Sequence, residues 1–468
     1  MIIIKRVLLT GAVVLATAAT LLAQKKGTAE LWLTNADQSA LFQKQAKPLI
    51  FLKAGNRDSA ITVNTKEVFQ PIDGFGFSLT GGSAQLMMKM TPASRAALIK
   101  ELFATNDKNI GISYLRVSIG ASDLNEFVFS YDDLPAGETD PTLTKFNLAQ
   151  DKKDVVPVLK EILAVNPKIK ILGSPWSAPV WMKDNNDTRG GSLNPEYFDA
   201  YARYLVKYIQ AMKAEGIAID AITVQNEPLH PGNNPSMLML APDQAKFVKV
   251  NLGPAFKAAG VKTKIIIYDH NCDKPEYPIS ILNDAEAKKY IDGSAFHLYA
   301  GKIEVLTEVH NAHPDKGVYF TEQWMGAPGN FKRDVAQHIN KLTIGATRNW
   351  SRNVIEWNLA ADPNSNPHTD RGGCNTCMGG ITIDQDKVTR NPAYYVVAHA
   401  SKFVRPGSVR IGSNLLTDLP NVAFKTPDNK TVLIVINNNA ETKSFNINSN
   451  GRIAHAMLNA GSVATYVW

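Results

Sequence analysis

The sequence predicts a (β/α)8 barrel carrying a small β-sandwich, on three observations. Eight short apolar runs recur between about residues 75 and 360, helical segments separate them, and the two ends of the chain alternate apolar and polar residues in strand fashion. The eight runs are FGFSLTG (75–81), ISYLRVSIG (112–120), KIKILGSPWS (168–177), IDAITVQNEP (219–228), KIIIYDHN (264–271), SAFHLY (294–299), GVYFTEQW (317–324) and NVIEWNLA (353–360). Most are β-branched or aromatic over four to seven residues, which suits parallel strands buried on both faces. Between them, TPASRAALIKELFA (91–104) offers a Thr N-cap and a Pro in the first turn, with apolar residues three and four apart. Residues 154–166 and 194–216 repeat the pattern, the latter closing at Gly216 in a C′ position. An open doubly wound sheet is the alternative. It usually carries a Gly-rich phosphate turn after its first strand, and GFGFSLTGG lacks that spacing.

The ends read differently. Residues 48–69 look like strands with a turn around Gly55-Asn56. After a helix near 392–403, runs such as KTVLIVINNN (430–439), KSFNINS (443–449) and ATYVW (464–468) are separated by turn residues. The expected division is a signal peptide over 1–23, a segment 24–70 lending strands to the sandwich, a barrel over 71–404 and the sandwich proper over 405–468. The signal reading rests on Lys5 and Arg6, the apolar run Val7 to Ala23, and the small Ala23 before Gln24. A retained anchor is the other reading of that run. No later stretch is long enough to span a bilayer, so no stable membrane insertion is expected once the signal is removed. The mature chain is expected in the periplasm or outside the cell.

Composition narrows the function. The 468 residues are 44% hydrophobic and 20% charged, which excludes collagen-like, coiled-coil and largely disordered chains. A net charge of +7 without a basic run gives no support to nucleic acid as a partner. Three cysteines cannot staple a chain of this size, so stability must come from a buried core.

In a barrel of this kind chemistry belongs at the C-terminal ends of the strands. Glu227 ends the fourth run and Glu322 the seventh, each after residues that should be buried. A carboxylate there is costly unless it is paired, hydrogen-bonded or used. Strands four and seven can face each other across the barrel mouth. Two facing carboxylates are the equipment for glycoside hydrolysis, and Asn226 stands beside one of them. The bland reading is two structural glutamates held by Arg or Lys.

The motifs DGFGFSLTGGSA (73–84), LRVSIGASD (115–123), SPWSAPVWMK (174–183), TVQNEP (223–228), HLY (297–299), FTEQW (320–324) and EWNLA (356–360) resemble, in order and over nearly the whole mature chain, glycoside hydrolase family 30 of clan A. This is the family of glucosylceramidases and β-1,6-glucanases. The resemblance implies a (β/α)8 barrel with a side β-sandwich. It implies a retaining double displacement with Glu227 as general acid/base and Glu322 as nucleophile. It also implies that Asn226 bonds the sugar 2-OH, that Asp123 binds outer hydroxyls and that Arg116 supports the nucleophile. Trp176, His297, Tyr299 and Trp357 would shape the pocket. Each has a plainer reading: Trp176 and Trp357 as barrel-top core, Asp123 as a helix cap, Arg116 as a structural ion pair, His297 as a satisfied barrel histidine. His297 is expected to form the pocket and not to act as a base. Trp181 and Met182 are balanced between core and cleft.

Cys374 and Cys377 form a C-x-x-C in the loop RGGCNTCMGG. A zinc site would need two more ligands at matching spacing, and a redox site a different context. In an exported chain a local disulfide is the favoured reading, with Cys272 left free. Closing so short a loop, it should add little global stability and would fix the loop after strand eight. That loop resembles the β-1,6-glucanase branch more than the animal glucosylceramidases. The expected activity is therefore endo-β-1,6-glucanase. A glucosylceramidase or an exo-acting β-glucosidase is the alternative, and a non-catalytic glycan-binding protein a remote one. The lipid reading would need an exposed apolar patch, for which Met237, Leu238, Met239 and Leu240 are the run to watch. No metal or organic cofactor is implied, since two carboxylates suffice. A β-glucan or β-glucoside is the expected partner, and oligomeric state is not readable.

Overall fold

A computed structural model describes residues 27–53 and 55–468. The signal segment expected over 1–23 lies outside the described residues. Two compact units are present: residues up to Val68 together with Ile411–Trp468, and Phe69–Arg410.

In the larger unit eight parallel strands close into a barrel. They are β1 Gly74–Ser78, β2 Tyr114–Ile119, β3 Lys170–Pro175, β4 Ala221–Thr223, β5 Lys264–Cys272, β6 Gly293–Gly301, β7 Gly317–Glu322 and β8 Ser351–Glu356. Each falls within or against one of the eight apolar runs. Tyr114, Leu172, Ala221, Ile266, Ala295, Tyr319 and Ile355, one from each of β2 to β8, form a continuous buried layer inside the barrel. It is a packed floor, and the polar residues of the site stand at the strand ends beyond it. Close packing of the wall needs glycine at Gly76, where a Cβ would lie 1.8 Å from the Tyr114 carbonyl oxygen.

The helices obey their sequence signals. Pro92–Phe103 begins after Thr91, whose hydroxyl accepts from the Ser94 N–H. Val155–Val165 is capped by Asp154. The helix expected over 194–216 starts later, at Phe198, because Pro195–Tyr197 forms a 3-10 turn. It ends at Ala214, and Gly216 takes a left-handed φ of 82°. Two π-helical turns, Val248–Leu252 and Ile339–Ala346, had no sequence signal.

The smaller unit belongs to a ten-stranded sheet. Its central strand Thr431–Ile436 is buried along its length. Thr28–Thr34 pairs antiparallel with Val463–Val467, setting Glu30 opposite Val467. Lys443–Ser449 and Val463–Val467 are well separated along the hydrogen-bonded path, yet the rings of Phe445 and Tyr466 lie 6.2 Å apart. The sheet therefore doubles over on itself, and the buried side chains meet inside as in a sandwich.

Candidate active site

The strand ends of the barrel gather a dense polar cluster. Glu322 is the last residue of β7. Glu227 is not on its strand: β4 stops at Thr223, and Glu227 follows in an irregular segment with a left-handed φ of 44°. That departs from the expectation of a glutamate ending strand four. A non-glycine residue in this conformation is held there by its surroundings. The Glu227 N–H donates to the Asp269 carbonyl at 2.9 Å, which fixes the turn.

Arg116, on β2, organises the cluster. It is fully buried and spreads its guanidinium over four acceptors. Nη1 donates to Glu322 Oε2 at 2.6 Å, and Nη2 to Asn226 Oδ1 at 2.6 Å, Asp269 Oδ2 at 2.9 Å and Ser174 Oγ at 3.2 Å. Its plane lies 4.7 Å from the Trp176 ring, which in turn stacks on Trp357 at 5.4 Å. Such a planar fork is what a carboxylate needs to keep one orientation. The other Glu322 oxygen accepts from the Tyr299 hydroxyl at 2.9 Å.

Asp269 completes the cluster, and sequence reasoning did not single it out. Its carboxylate is fully buried and accepts from Ser174, Thr223 and Thr321 at 2.8, 2.7 and 2.6 Å. It also pairs with Arg116 and with His297 Nε2 at 3.1 Å. Burial opposes its charge, but Arg116, His297 and the hydroxyls hold the carboxyl well below the usual range. A β-bulge explains its placement. Ala295 of β6 pairs with Tyr268 and Phe296 with His270, so Asp269 is skipped in the register. Tyr268 and Asp269 take φ of 73° and 62°, and the carboxylate turns into the barrel mouth. A matching shift between β6 and β7 sets His297 opposite Glu322 and frees Thr321 to reach Asp269.

His297 does more than line the pocket. Nδ1 is 3.1 Å from Glu227 Oε1 and 3.7 Å from Glu322 Oε1, and Nε2 is on Asp269. With a carboxylate at each nitrogen the ring holds both protons. Burial alone would lower its pKa, but Glu322, Asp269 and Glu227 raise it to about 9. Burial likewise pushes the Glu227 carboxyl up, and the His297 bond and charge more than offset this, leaving it below the ordinary value. Glu322 ends above its ordinary value: burial raises it, Glu227 adds to that, and His297, Arg116 and Tyr299 oppose without cancelling it. His270, 3.9 Å from Glu227, is pushed down to about 4 by burial and stays neutral.

One atom each from Glu227, His297 and Glu322 lies within 4.8 Å of the others. The trio has the residue types of a metal site, and both His297 nitrogens already face carboxylates, Nδ1 toward Glu227 and Nε2 toward Asp269.

The cavity above these groups measures about 240 Å³. Asp123, Trp176, Glu227, Tyr299, Glu322 and Trp357 line it, together with His230, Asn233, Asn271 and Trp324. Burial, with Glu322 and Glu227 nearby, lifts Asp123 to about 7. Cys374 and Cys377 are bonded to each other and stand in the cavity wall against Trp176 and Trp357. Cys272 is free and buried. Of the residues singled out in the sequence, Asp123, Trp176, Glu227, Tyr299, Glu322, Trp357 and the two cysteines line this pocket, while Arg116, Asn226 and His297 lie behind it, bonded to its carboxylates or to one another. Of the two residues left in balance, Met182 is core and Trp181 faces a neighbouring cavity.

A closed parallel barrel with two carboxylates converging at its mouth has the equipment of a sugar-cleaving enzyme, and comparison with known proteins identifies the family. Residues 72–404 match the glycosyl hydrolase family 30 TIM-barrel domain, and 407–466 the glycosyl hydrolase family 30 beta sandwich domain. The chain belongs to glycosyl hydrolase family 30 and is a glycoside hydrolase. It is 36% identical over 393 residues to endo-1,6-beta-D-glucanase neg1 of Aspergillus fumigatus, covering 79% of this chain and 78% of the relative. It is 28% identical over 439 residues to the lysosomal acid glucosylceramidase of Mus musculus, covering 87% of this chain and 83% of the relative. The solved structure of the endo-beta1,6-glucanase BT3312 superposes with a TM-score of 0.87 at 35% identity, over 94% of this chain and 99% of that one.

Proposed function

We propose that the protein is an exported, retaining endo-β-1,6-glucanase with Glu322 as nucleophile and Glu227 as general acid/base. The observation that carries the mechanism is the spacing of the two carboxylates, with oxygens within 4.8 Å of each other. Retaining glycosidases hold their carboxyls about 5–5.5 Å apart, whereas inverting ones leave room for a water between them. Similarity to the fungal and solved β-1,6-glucanases supports the choice of glucan.

The residues divide the work. Arg116 and Tyr299 each bind one oxygen of Glu322 and aim it at the anomeric carbon. Asn226 gives its carbonyl to Arg116, so its amide N–H groups are turned toward a sugar 2-OH. In the empty pocket the His297 charge keeps Glu227 ionised. A sugar entering the pocket expels water, and a buried histidinium–carboxylate pair then gains by becoming neutral. The Nδ1 proton moves across the 3.1 Å bond to Glu227, which passes it to the leaving oxygen. Once the glycosyl–Glu322 ester forms, the charge opposing Glu227 is gone, and Glu227 accepts a proton from the attacking water. His297 is thus the proton store of the acid/base, beyond the pocket-forming role expected of it.

Support for a sugar leaving group comes from the wall beside Glu227. His230 and Asn233 stand there: the His230 N–H donates to the Glu227 carbonyl at 2.8 Å, and the Asn233 amide reaches Glu227 Oε2 at 3.4 Å. The run Met237–Leu240 offers no lipid-facing patch, because Met237 and Met239 are buried and Leu240 alone is strongly exposed. The test is the product profile and anomeric configuration on a linear β-1,6-glucan, run beside glucosylceramide in detergent. Short oligosaccharides first, released as the β-anomer, are expected. Glucose from the lipid with the glucan untouched would overturn the substrate, and α-anomeric products would overturn the mechanism.

A further inference from the structure

Beside the catalytic pocket lies a second cavity of about 640 Å³, more than twice its size. It is open to the same face of the barrel, between the segments that follow β2 and β3. Three separate stretches of chain pass from one cavity to the other. Asp123 lines the catalytic pocket and Ala121 the second; Trp176 lines the first and Ser177 with Ala178 the second; Asn233 lines the first and Pro235 the second. The two spaces are therefore neighbours that share these stretches of chain as lining.

The second cavity is rigidly built. The Trp181 Nε1–H donates to the Asp132 carbonyl at 3.0 Å, and Tyr197 meets the indole edge-on at 5.0 Å. Lys183 is buried and ties two loops together, donating to the carbonyl oxygens of Asp187 at 2.6 Å and Ser236 at 2.9 Å. Arg371 clamps the same loop through Asp187 at 2.9 Å. Aromatic faces at Phe129, Trp181 and Tyr197 alternate in the lining with Asp133, Asp184 and Asn194. This mixture suits a ligand with apolar C–H faces and a rim of hydroxyls, and the fixed side chains lower the ordering cost of binding it.

We propose that this second cavity is a distal subsite that holds further glucosyl units of the chain being cleaved in the first. The inference rests on the β-glucan reading above and deepens it: the enzyme grips its polymer at a place remote from the bond it breaks. Binding energy gathered there raises turnover of long chains and leaves short substrates unaffected.

The test compares the wild type with Tyr197→Ala, which removes a ring, and with Ala136→Trp, which fills the space from an exposed loop position in the lining. The readout is the ratio of kcat/KM on long linear β-1,6-glucan to kcat/KM on an aryl β-glucoside. Both variants should lower that ratio about tenfold, while the aryl glucoside value stays within about twofold. An unchanged ratio in both variants, including a parallel loss on both substrates, overturns the distal subsite and leaves the glucanase reading intact. Failure of the wild type to cleave the glucan at all overturns the glucanase reading instead.

Discussion

Replacing Asp269 by Asn tests the electrostatic frame of the site. The substitution keeps the shape and removes one charge that is fully buried between Arg116 and His297. It also puts an N–H2 either at Oδ2, where Ser174 and Thr223 now donate, or at Oδ1, where Thr321 does. The His297 pKa rises from 6.5 to about 9 on folding, which corresponds to about 3 kcal/mol of stability. Because the folded value is the higher one, that contribution is full below pH 6.5 and is lost as pH rises through 9. Breaking a buried pair by removing one partner costs about 3–5 kcal/mol. Asp269→Asn should therefore melt on the order of 10 °C lower at pH 6, and the deficit should shrink toward pH 10, where His297 is neutral in both proteins. In activity, the alkaline limb of kcat/KM should lie near the His297 value in the wild type and move down by roughly two pH units in the variant. Calorimetry across pH and a pH–rate profile read both effects. A variant with unchanged melting, or with an alkaline limb that does not move, would refute the Asp269–His297–Glu227 relay.

Three further outcomes follow from the same geometry. Glu322→Ala should lower kcat by roughly four orders of magnitude, and azide should restore part of it with formation of an inverted glycosyl azide; normal turnover would remove Glu322 from the nucleophile role. Replacing Cys374 and Cys377 by Ser should cost at most about 2 kcal/mol, since the bridge closes a very short loop. Its main effect should be a higher KM, because both residues stand in the pocket wall; equal KM values would show the loop holds without the bridge. Thr91→Ala should lower stability by about 1 kcal/mol in denaturant titration through loss of the helix cap.

The barrel was legible because each buried strand is a short apolar run and each early helix carries its own cap. Glu322 was legible for the same reason, standing as a charge at the end of VYFT. Asp269 was not. IIIYDHN reads as an unbroken strand, and nothing local shows that Tyr268 and Asp269 leave the ladder; the bulge is imposed by packing against β6. The brevity of β4 was hidden likewise, since AITVQN has strand character throughout, while in the fold the Asn226 and Glu227 N–H groups turn to the Pro175 and Asp269 carbonyls. The role of His297 depends on which groups surround it, and those come from two other strands and from the irregular segment after β4. The π-helical turns lie inside ordinary amphipathic sequence and carry no mark of their own.

The pairing of residue 30 with residue 467 has a consequence for assembly. Closing a chain loop of that length in an unfolded polymer is entropically slow. The barrel removes most of the distance. In its folded state the Arg410 guanidinium lies 3.5 Å from the Phe69 ring, so the two chain segments that leave the barrel start side by side. What remains to be joined is on the order of a hundred residues, an entropic saving of about 1 kcal/mol. The order of events this favours is barrel first and sandwich second. The catalytic unit is then the scaffold on which the smaller sheet is completed.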